Sequence, residues 1–505
     1  MASDAVALNR VSRVVGYKIK KGNFRQSSPN LPQRIVILAE ANEANQIGLE
    51  TNPLEVLNAR QAGEEYGYGS PIHMIMRILR PISGDGVGGI PTIVMAQAKA
   101  VGATQKILTI EPSGVATGNG IHTIIIAGRG SVDGVAYDIN IVEGDSTAEI
   151  TAKIQDAVNA VLGSPVIGTS DDYEATLTTK WAGLTANDVT VEVDTNEDDL
   201  GITYVVAATQ AGSGTPSIQA ALDLFGDTWN TQVINGYGTV ESVMDALEAF
   251  NGIAHPDNPT GRYNPIVMKP FIAHTGSTAD DPSTITDLRL NDMTIAIAPA
   301  PLSDGLQFEA AANMCLLFAN ICENTPHLDV GGKLYPDMPT PTIIGSMADY
   351  TNRDAMVKKG CSTVMLMGDR YQVQDFVTTY HPVGEEPPQF RYPRNLNVDW
   401  NVRFGYYLNE QIHVVDKVIA PDDATVVVDG VIKPKQWKQI NDAYADDLEA
   451  RALIVDKAFM KNSIQVDIST VNSDRLETFF RYKRSGVARI SSTDAEAGFN
   501  FGTLN

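Results

Sequence analysis

The constraint that bears hardest on this chain is a double change of texture along its length. Residues 31–95 read as strand, helix and strand; residues 102–211 read as short strands; from 212 the strand–helix alternation resumes. RIVILAEA (34–41) is a continuous apolar run, as expected of a strand covered on both faces of a parallel sheet. PIHMIMRILRPI (71–82) reads as the next helix. After the link GSGTPS (212–217), TQVINGYG, PIVMKPFIAH and MTIAIAPAP read as strands, and 242–250 and 307–321 as helices. Such alternation predicts a mostly parallel sheet with helices on both faces. Both flanks carry the same signals, so they are expected to build one domain interrupted by an insertion.

Within the insertion, KILTI, HTIIIAG, ATLTTK, DVTVEV and ITYVVAAT are separated by Gly, Asn and Asp at the spacing of a β-sandwich. One helix interrupts them. Ser146 and Glu149 form a capping box, and Ile150, Ile154, Ala157, Val158 and Val161 recur at helical spacing before Gly163. DTNEDD (194–199) alternates oxygens like the start of a calcium loop. Asp199 stands where the loop needs glycine, however, and Val205 where it needs a bidentate glutamate, so a solvated loop is expected. GDGVGG (84–89) matches G-x-G-x-x-G, yet a strand and not a helix follows it, which predicts a turn and no dinucleotide site.

Downstream, Val398, Trp400, Val402 and Phe404 alternate with Asp399, Asn401 and Arg403, the period of a half-buried strand. A second strand is expected at Thr425–Val428, with Asp429-Gly430 as a tight hairpin turn. Pro434 then opens a helix whose apolar stripe is Trp437, Ile440, Tyr444, Leu448 and Val455. SIQVDIS (463–469) and LETFFRYKRSGVARI read as further strands. Val15, Tyr17 and Ile19 suggest a lone N-terminal strand, and AGFNFGTLN a lone C-terminal one; each needs a sheet to join. The expected class is a mixed α/β (α+β) multidomain protein. It divides into an arm (1–30), an α/β domain (31–101 and 212–335), an inserted β-rich domain (102–211), a C-terminal α/β domain (336–486) and a second arm (487–505).

Charge excludes some functions. The formal charge is −23 over 505 residues, which disfavours non-specific binding to a phosphate backbone. The excess is local: residues 95–210 carry 5 Lys/Arg against 16 Asp/Glu, whereas residues 1–34 carry 7 against 1. The stretch 475–489 is basic as well. No apolar run is long enough to span a membrane, and the first residues lack a signal-peptide core. Cys315, Cys322 and Cys361 are too few for a disulfide framework and read as buried thiols. The seven histidines fall in no metal or protease motif, and no nucleophile elbow or phosphate loop is present. No catalytic residue, metal ligand or cofactor site is expected.

Five segments in this order resemble the contractile tail sheath proteins of bacteriophages, especially those like the sheath of phage Mu. They are GGIPTIVMAQAKAVGAT, GDSTAEITAKIQDAVNAVLGSPV, TLTTKWAGLTANDVTV, FRYPRNLNVDWNVRFGYYL and the last forty residues. The resemblance covers most of the chain from about residue 30 onward and is weakest in the N-terminal arm. It implies a structural subunit that polymerises helically around a tail tube and contracts to drive the tube through the host envelope. The C-terminal domain becomes the inner sheath layer, the insertion projects outward, and the arms add strands to sheets of neighbouring subunits. Carried onto this chain, the arms present Val15, Tyr17 and Ile19 at one end and Val487, Ile490, Phe499 and Phe501 at the other. Lys438, Asp442, Asp446 and Glu449, on the helix from Pro434 to Val455, become the tube-facing set. The implied partners are other copies of the chain, the tail tube protein, and baseplate and tail terminator proteins, without nucleic acid or membrane insertion. The implied location is the virion, after assembly in the host cytoplasm. The Thr/Gly/Asp-rich middle leaves an alternative: an exported or surface-exposed β-rich adhesin or binding protein.

Overall fold

In the computed structural model, residues 28–497 are described, except 85, 256, 386 and 387. A six-stranded sheet organises the first part of the chain. Its order is Ile295–Pro299, Ile272–Ser277, Gln232–Asn235, Ile35–Glu40, Thr92–Gln97, Leu54–Glu55. All neighbours are parallel except the last pair. The central strand 35–40 takes one neighbour from each side of the insertion: Ile35 lies opposite Gln232 on one flank and Thr92 on the other.

Its continuous burial has a simple cause. Ile35, Ile37 and Ala39 face the helices Pro71–Leu79 and Gln307–Asn324, while Val36 and Leu38 face Glu241–Asn251 on the opposite side. Helix 307–324 lies hard against strand 272–277. A Cβ at Gly276 would come within 1.6 Å of the Gln307 carbonyl oxygen, so only glycine permits that approach. The strand expected from PIVMKPFIAH begins only at Ile272; residues 264–267 turn instead, and Pro270 precedes the strand.

The stretch from 107 to 210 forms a four-stranded and a three-stranded antiparallel sheet around the helix Thr147–Ala160, with a small hairpin at 131–136. One has the order Ile202–Gln210, Ile107–Gly114, Ala175–Thr179, Val166–Ser170; the other Val191–Asp194, Gly120–Ile126, Asp138–Ile141. The capping box forms: Glu149 N–H donates to Ser146 Oγ at 3.4 Å, and Ser146 N–H to Glu149 Oε2 at 2.8 Å. The insertion shares its core with the parallel sheet. Ile110, Ile139, Ile154 and Trp181 belong to the same apolar cluster as Ile35, Ile75 and Phe308. Trp181 meets Phe308 edge to face at 6.1 Å, and its indole N–H donates to Thr185 Oγ1 at 2.9 Å.

At this junction Glu40 ends the central strand with its carboxyl buried, 3% exposed. Burial pushes its pKa from 4.5 up to about 8, against a smaller opposing hydrogen bond with Thr185. The folded state therefore keeps a proton that the unfolded chain releases, and stability is lost as pH rises from about 4.5 to about 8. Glu40→Gln removes that dependence. We expect a flatter stability profile and a higher melting temperature than the wild type at pH 8, with little difference at pH 5. Parallel wild-type and variant curves from pH 5 to 8 would contradict this assignment.

The C-terminal part departs from the sequence expectation. Residues 393–413, expected to hold a strand at 398–404, form one 21-residue helix, Pro393–His413. The helix is buried on two opposite sides. Leu396 and Trp400 pack among Tyr263, Phe318 and Phe376, while Val398 and Val402 pack among Tyr444, Leu448 and Met460. Positions two apart in a helix lie about 200° around its axis. Two buried faces therefore produce the same alternation that a strand does.

The hairpin expected at 425–430 is also absent. Thr425–Val428 is irregular, with Val427 93% exposed, and Val418–Ile419 pairs instead in parallel with Val431–Ile432. The helix consumes Ile412, leaving no extended partner for an antiparallel pair; Gly430 still turns the chain with φ 80°. The following helix ends at Ala450, so Val455 lies beyond it in the short strand Ile454–Val455. Cys315, Cys322 and Cys361 are buried free thiols, and burial pushes Cys361 up to about 12.

Candidate assembly surface

Among the described residues no three His, Cys, Asp or Glu side chains are grouped to hold a metal ion. No described helix is long and apolar enough to cross a membrane. The features that invite a partner are instead the roots of the two terminal segments and a pair of open strand edges.

The N-terminal segment enters the described structure clamped between three helices. Leu31 N–H donates to Asn401 Oδ1 at 2.9 Å, and Gln33 N–H to Glu323 Oε2 at 2.8 Å. Asn30 Nδ2 donates to the Glu323 carbonyl at 2.8 Å, while Arg451 Nη2 donates to Asn30 Oδ1 at 2.7 Å. Ser28 N–H reaches Asp447 Oδ2 at 3.2 Å. These contacts place the segment at the C-terminal end of helix 307–324, against helices 393–413 and Pro434–Ala450. Val15, Tyr17 and Ile19 lie outside the described residues.

The C-terminal segment leaves from the same corner. Buried Arg394 donates to the His327 carbonyl at 2.9 Å and to Ser485 Oγ at 2.6 Å, and also to the Ser485 carbonyl. Arg484 pairs with Asp399 at 2.5 Å. Arg489 pairs with Asp329 and stacks over Tyr392, 3.6 Å from the ring centre. Beyond this anchor the chain is released: Val487 is half-buried, and Ile490 is 87% exposed. Phe499 and Phe501 lie outside the described residues.

The chain before the Arg484 anchor forms a two-stranded antiparallel ribbon, Gln465–Ile468 with Leu476–Phe479, and Trp437 Nε1 near the start of helix 434–450 donates to its Thr478 Oγ1 at 3.1 Å. Neither strand has a second partner among the described residues, so both outer edges keep unpaired main-chain groups. Its apolar side chains are only partly covered: Val466 and Ile468 are half-buried, and Phe479 is 49% exposed.

The sequence-derived tube-facing set divides. Lys438 is exposed on helix 434–450. Asp446 and Glu449 are already engaged by the helix Lys457–Ser463: Lys461 Nζ lies 2.7 Å from Asp446 Oδ1, and Lys457 Nζ lies 2.8 Å from Glu449 Oε2. Asp442 Oδ1 is buried without a hydrogen-bond partner among the described residues. Sequence reasoning missed the anchors Arg394, Asn401 and Arg451. No apolar period marks a buried arginine that holds main-chain carbonyls, and Asn401 sat in what read as the polar face of a strand.

An unpaired strand edge of this kind can accept an added strand. No family model matches the chain. Over 149 residues, 29% of its length, the chain is 25% identical to the Mu-like prophage FluMu tail sheath protein of Haemophilus influenzae. It spans 28% of the length of that curated relative. Among solved structures it is similar to the sheath tail protein of Desulfitobacterium hafniense: 12% identity, 93% of this chain and 100% of that one, TM-score 0.44. It is also similar to the sheath tail protein of Listeria innocua: 10% identity, 91% and 96% coverage, TM-score 0.43. A third is the helical sheath of the anti-feeding prophage in its contracted state: 8% identity, 97% and 100% coverage, TM-score 0.44.

Proposed function

We propose that this chain is the structural subunit of a contractile tail sheath. It polymerises helically around a tail tube and contracts to drive the tube through the host envelope. The observation that carries the reading is that both terminal segments are anchored on helix 393–413, in a part of the chain that also holds the open-edged 465–479 ribbon. Strand addition at such an edge gives a main-chain link that needs no particular side chain at most positions. Links of that kind survive a rigid-body rotation of the subunits they join. The match to the FluMu sheath protein supports the same reading.

In this reading the arms are residues 1–30 and 487–505, and the C-terminal domain forms the inner layer, with Lys438 and its neighbours toward the tube. The insertion lies on the outer side. Baseplate and terminator proteins bound the polymer, which is assembled in the host cytoplasm and carried in the virion. Contraction is a switch between two packings of the same subunit surfaces. Its energy comes from better contacts in the second packing, so the mechanism calls on no nucleotide or cofactor.

Sedimentation of the purified chain over a concentration and salt series tests self-assembly. The expected result is a threshold concentration above which added protein enters a rapidly pelleting polymer. A species of 54.4 kDa at every concentration and salt would overturn the proposal.

A further inference from the structure

In a chain of net charge −23, one large cleft is basic. It encloses about 1180 Å³ between the helices Ala59–Tyr66 and 71–79, helix 307–324 and the segment 333–337. Five cations line it: Arg60, Arg77, Arg80, Lys333 and Arg370. Against them stand two carboxylates, Asp133 and Asp337. His73 adds no charge at neutral pH, since burial lowers its pKa to about 4. Three of the arginines are tethered: Arg77 to Asp133, Arg80 to the carbonyls of Gly88 and Ile90, and Arg370 to the carbonyl of Tyr335. Lys333 is exposed, and Arg60 pairs with Glu64 at the surface and also interacts with Tyr68.

The complement is the 194–199 turn between strands 191–194 and 202–210. Asp194, Glu197, Asp198 and Asp199 are exposed and form no ion pair among the described residues. The turn has a fixed shape. Asn196 and Glu197 hold φ of 53° and 68°, Asn196 Nδ2 donates to the Ile121 carbonyl at 2.7 Å, and the Asp194 and Asp199 carboxylates accept from their own turn's N–H groups.

Strand 120–126 separates the two features. The turn rests on its Ile121 end; at the other end Ile126 N–H donates to the Arg129 carbonyl, and Arg129 pairs with Asp337 on the cleft wall. A seven-residue strand is about 20 Å long, so the turn cannot enter its own cleft. We propose that the acidic 194–199 turn of one copy docks in the basic cleft of a second copy. A contact between two different patches of one chain is heterologous and generates a head-to-tail ring or, where the rotation does not close, an open helical assembly. The proposal deepens the sheath reading by naming one of its subunit contacts.

Cross-linking tests the contact directly. Glu197→Cys and Lys333→Cys chains are mixed and treated with a short bismaleimide; the native cysteines are buried. A covalent dimer is expected in the mixture and not in either variant alone. Absence of that dimer under assembling conditions overturns the proposal, as does a dimer formed by Lys333→Cys with Glu496→Cys in its place, which assigns the cleft to the C-terminal segment. As a second arm, Arg60→Glu/Lys333→Glu and Glu197→Lys/Asp199→Lys are each expected to raise the assembly threshold about tenfold. Combining all four in one chain is expected to restore it to near wild type. Wild-type assembly by either pair, or no restoration, overturns the contact. A mixed dimer without tubes leaves the contact standing and removes the sheath reading; tubes without the dimer do the reverse.

Discussion

Arg129→Met is expected to destabilise the protein by about 3–5 kcal/mol, the usual cost of removing one partner from a buried ion pair. Arg129 and Glu309 lie 2.8 Å apart with side chains 12% and 1% exposed. Burial opposes the guanidinium charge, but the Glu309 and Asp337 carboxylates more than offset it and hold Arg129 firmly protonated. Without Arg129, the Glu309 carboxylate stays buried at the start of helix 307–324, with the Leu306 N–H at 3.1 Å as its remaining donor. The loss falls at the seam between the insertion and the parallel sheet, so it should appear in the unfolding transition of both. Urea denaturation followed by tryptophan fluorescence reads it, because Trp181 sits in that shared core. Arg129→Met/Glu309→Leu should recover most of the loss, since the cost lies in the orphaned charge. A single variant within about 1 kcal/mol of wild type would show that the seam is held by packing alone.

Deleting residues 1–24, or residues 490–505, is expected to leave a folded monomer that does not polymerise. Neither deletion touches an anchor: Asn30, Leu31 and Gln33 remain at one end, and Ser485 and Arg489 at the other. The folded core should therefore keep its circular dichroism and melting temperature. What is lost in the proposed mechanism is the strand that each subunit lends to a neighbour. Sedimentation separates the outcomes: 1–24 and 490–505 deletions that both pellet like wild type would remove the arms from the assembly mechanism.

What the sequence made legible follows from where its local signals were complete. The short apolar run RIVILAEA is what a strand buried on both faces requires, and Ser146 with Glu149 carries its helix start in four residues. The interrupted sheet was legible because both flanks repeat the same alternation, and strand 35–40 does take a partner from each. Helix 393–413 was misread for a physical reason. A helix buried on two sides puts apolar groups at Val398, Trp400 and Val402, and two-residue spacing alone cannot separate it from a strand. Pro393 at its first turn was the overlooked signal.

The shared core was illegible, since Trp181 and Phe308 meet only in the folded chain. The same holds for the assembly surface. Asp446 and Glu449 are paired with lysines of helix 457–463, contacts that no spacing within helix 434–450 announces. The basic cleft draws its cations from three separate stretches, around 60–80, 333 and 370, that carry no common motif.

Negative-stain electron microscopy of the purified 505-residue chain across a salt series makes helical assembly visible. Hollow, striated tubes or stacked rings are expected. Uniform small particles at every salt concentration, with both termini intact, would contradict the proposal.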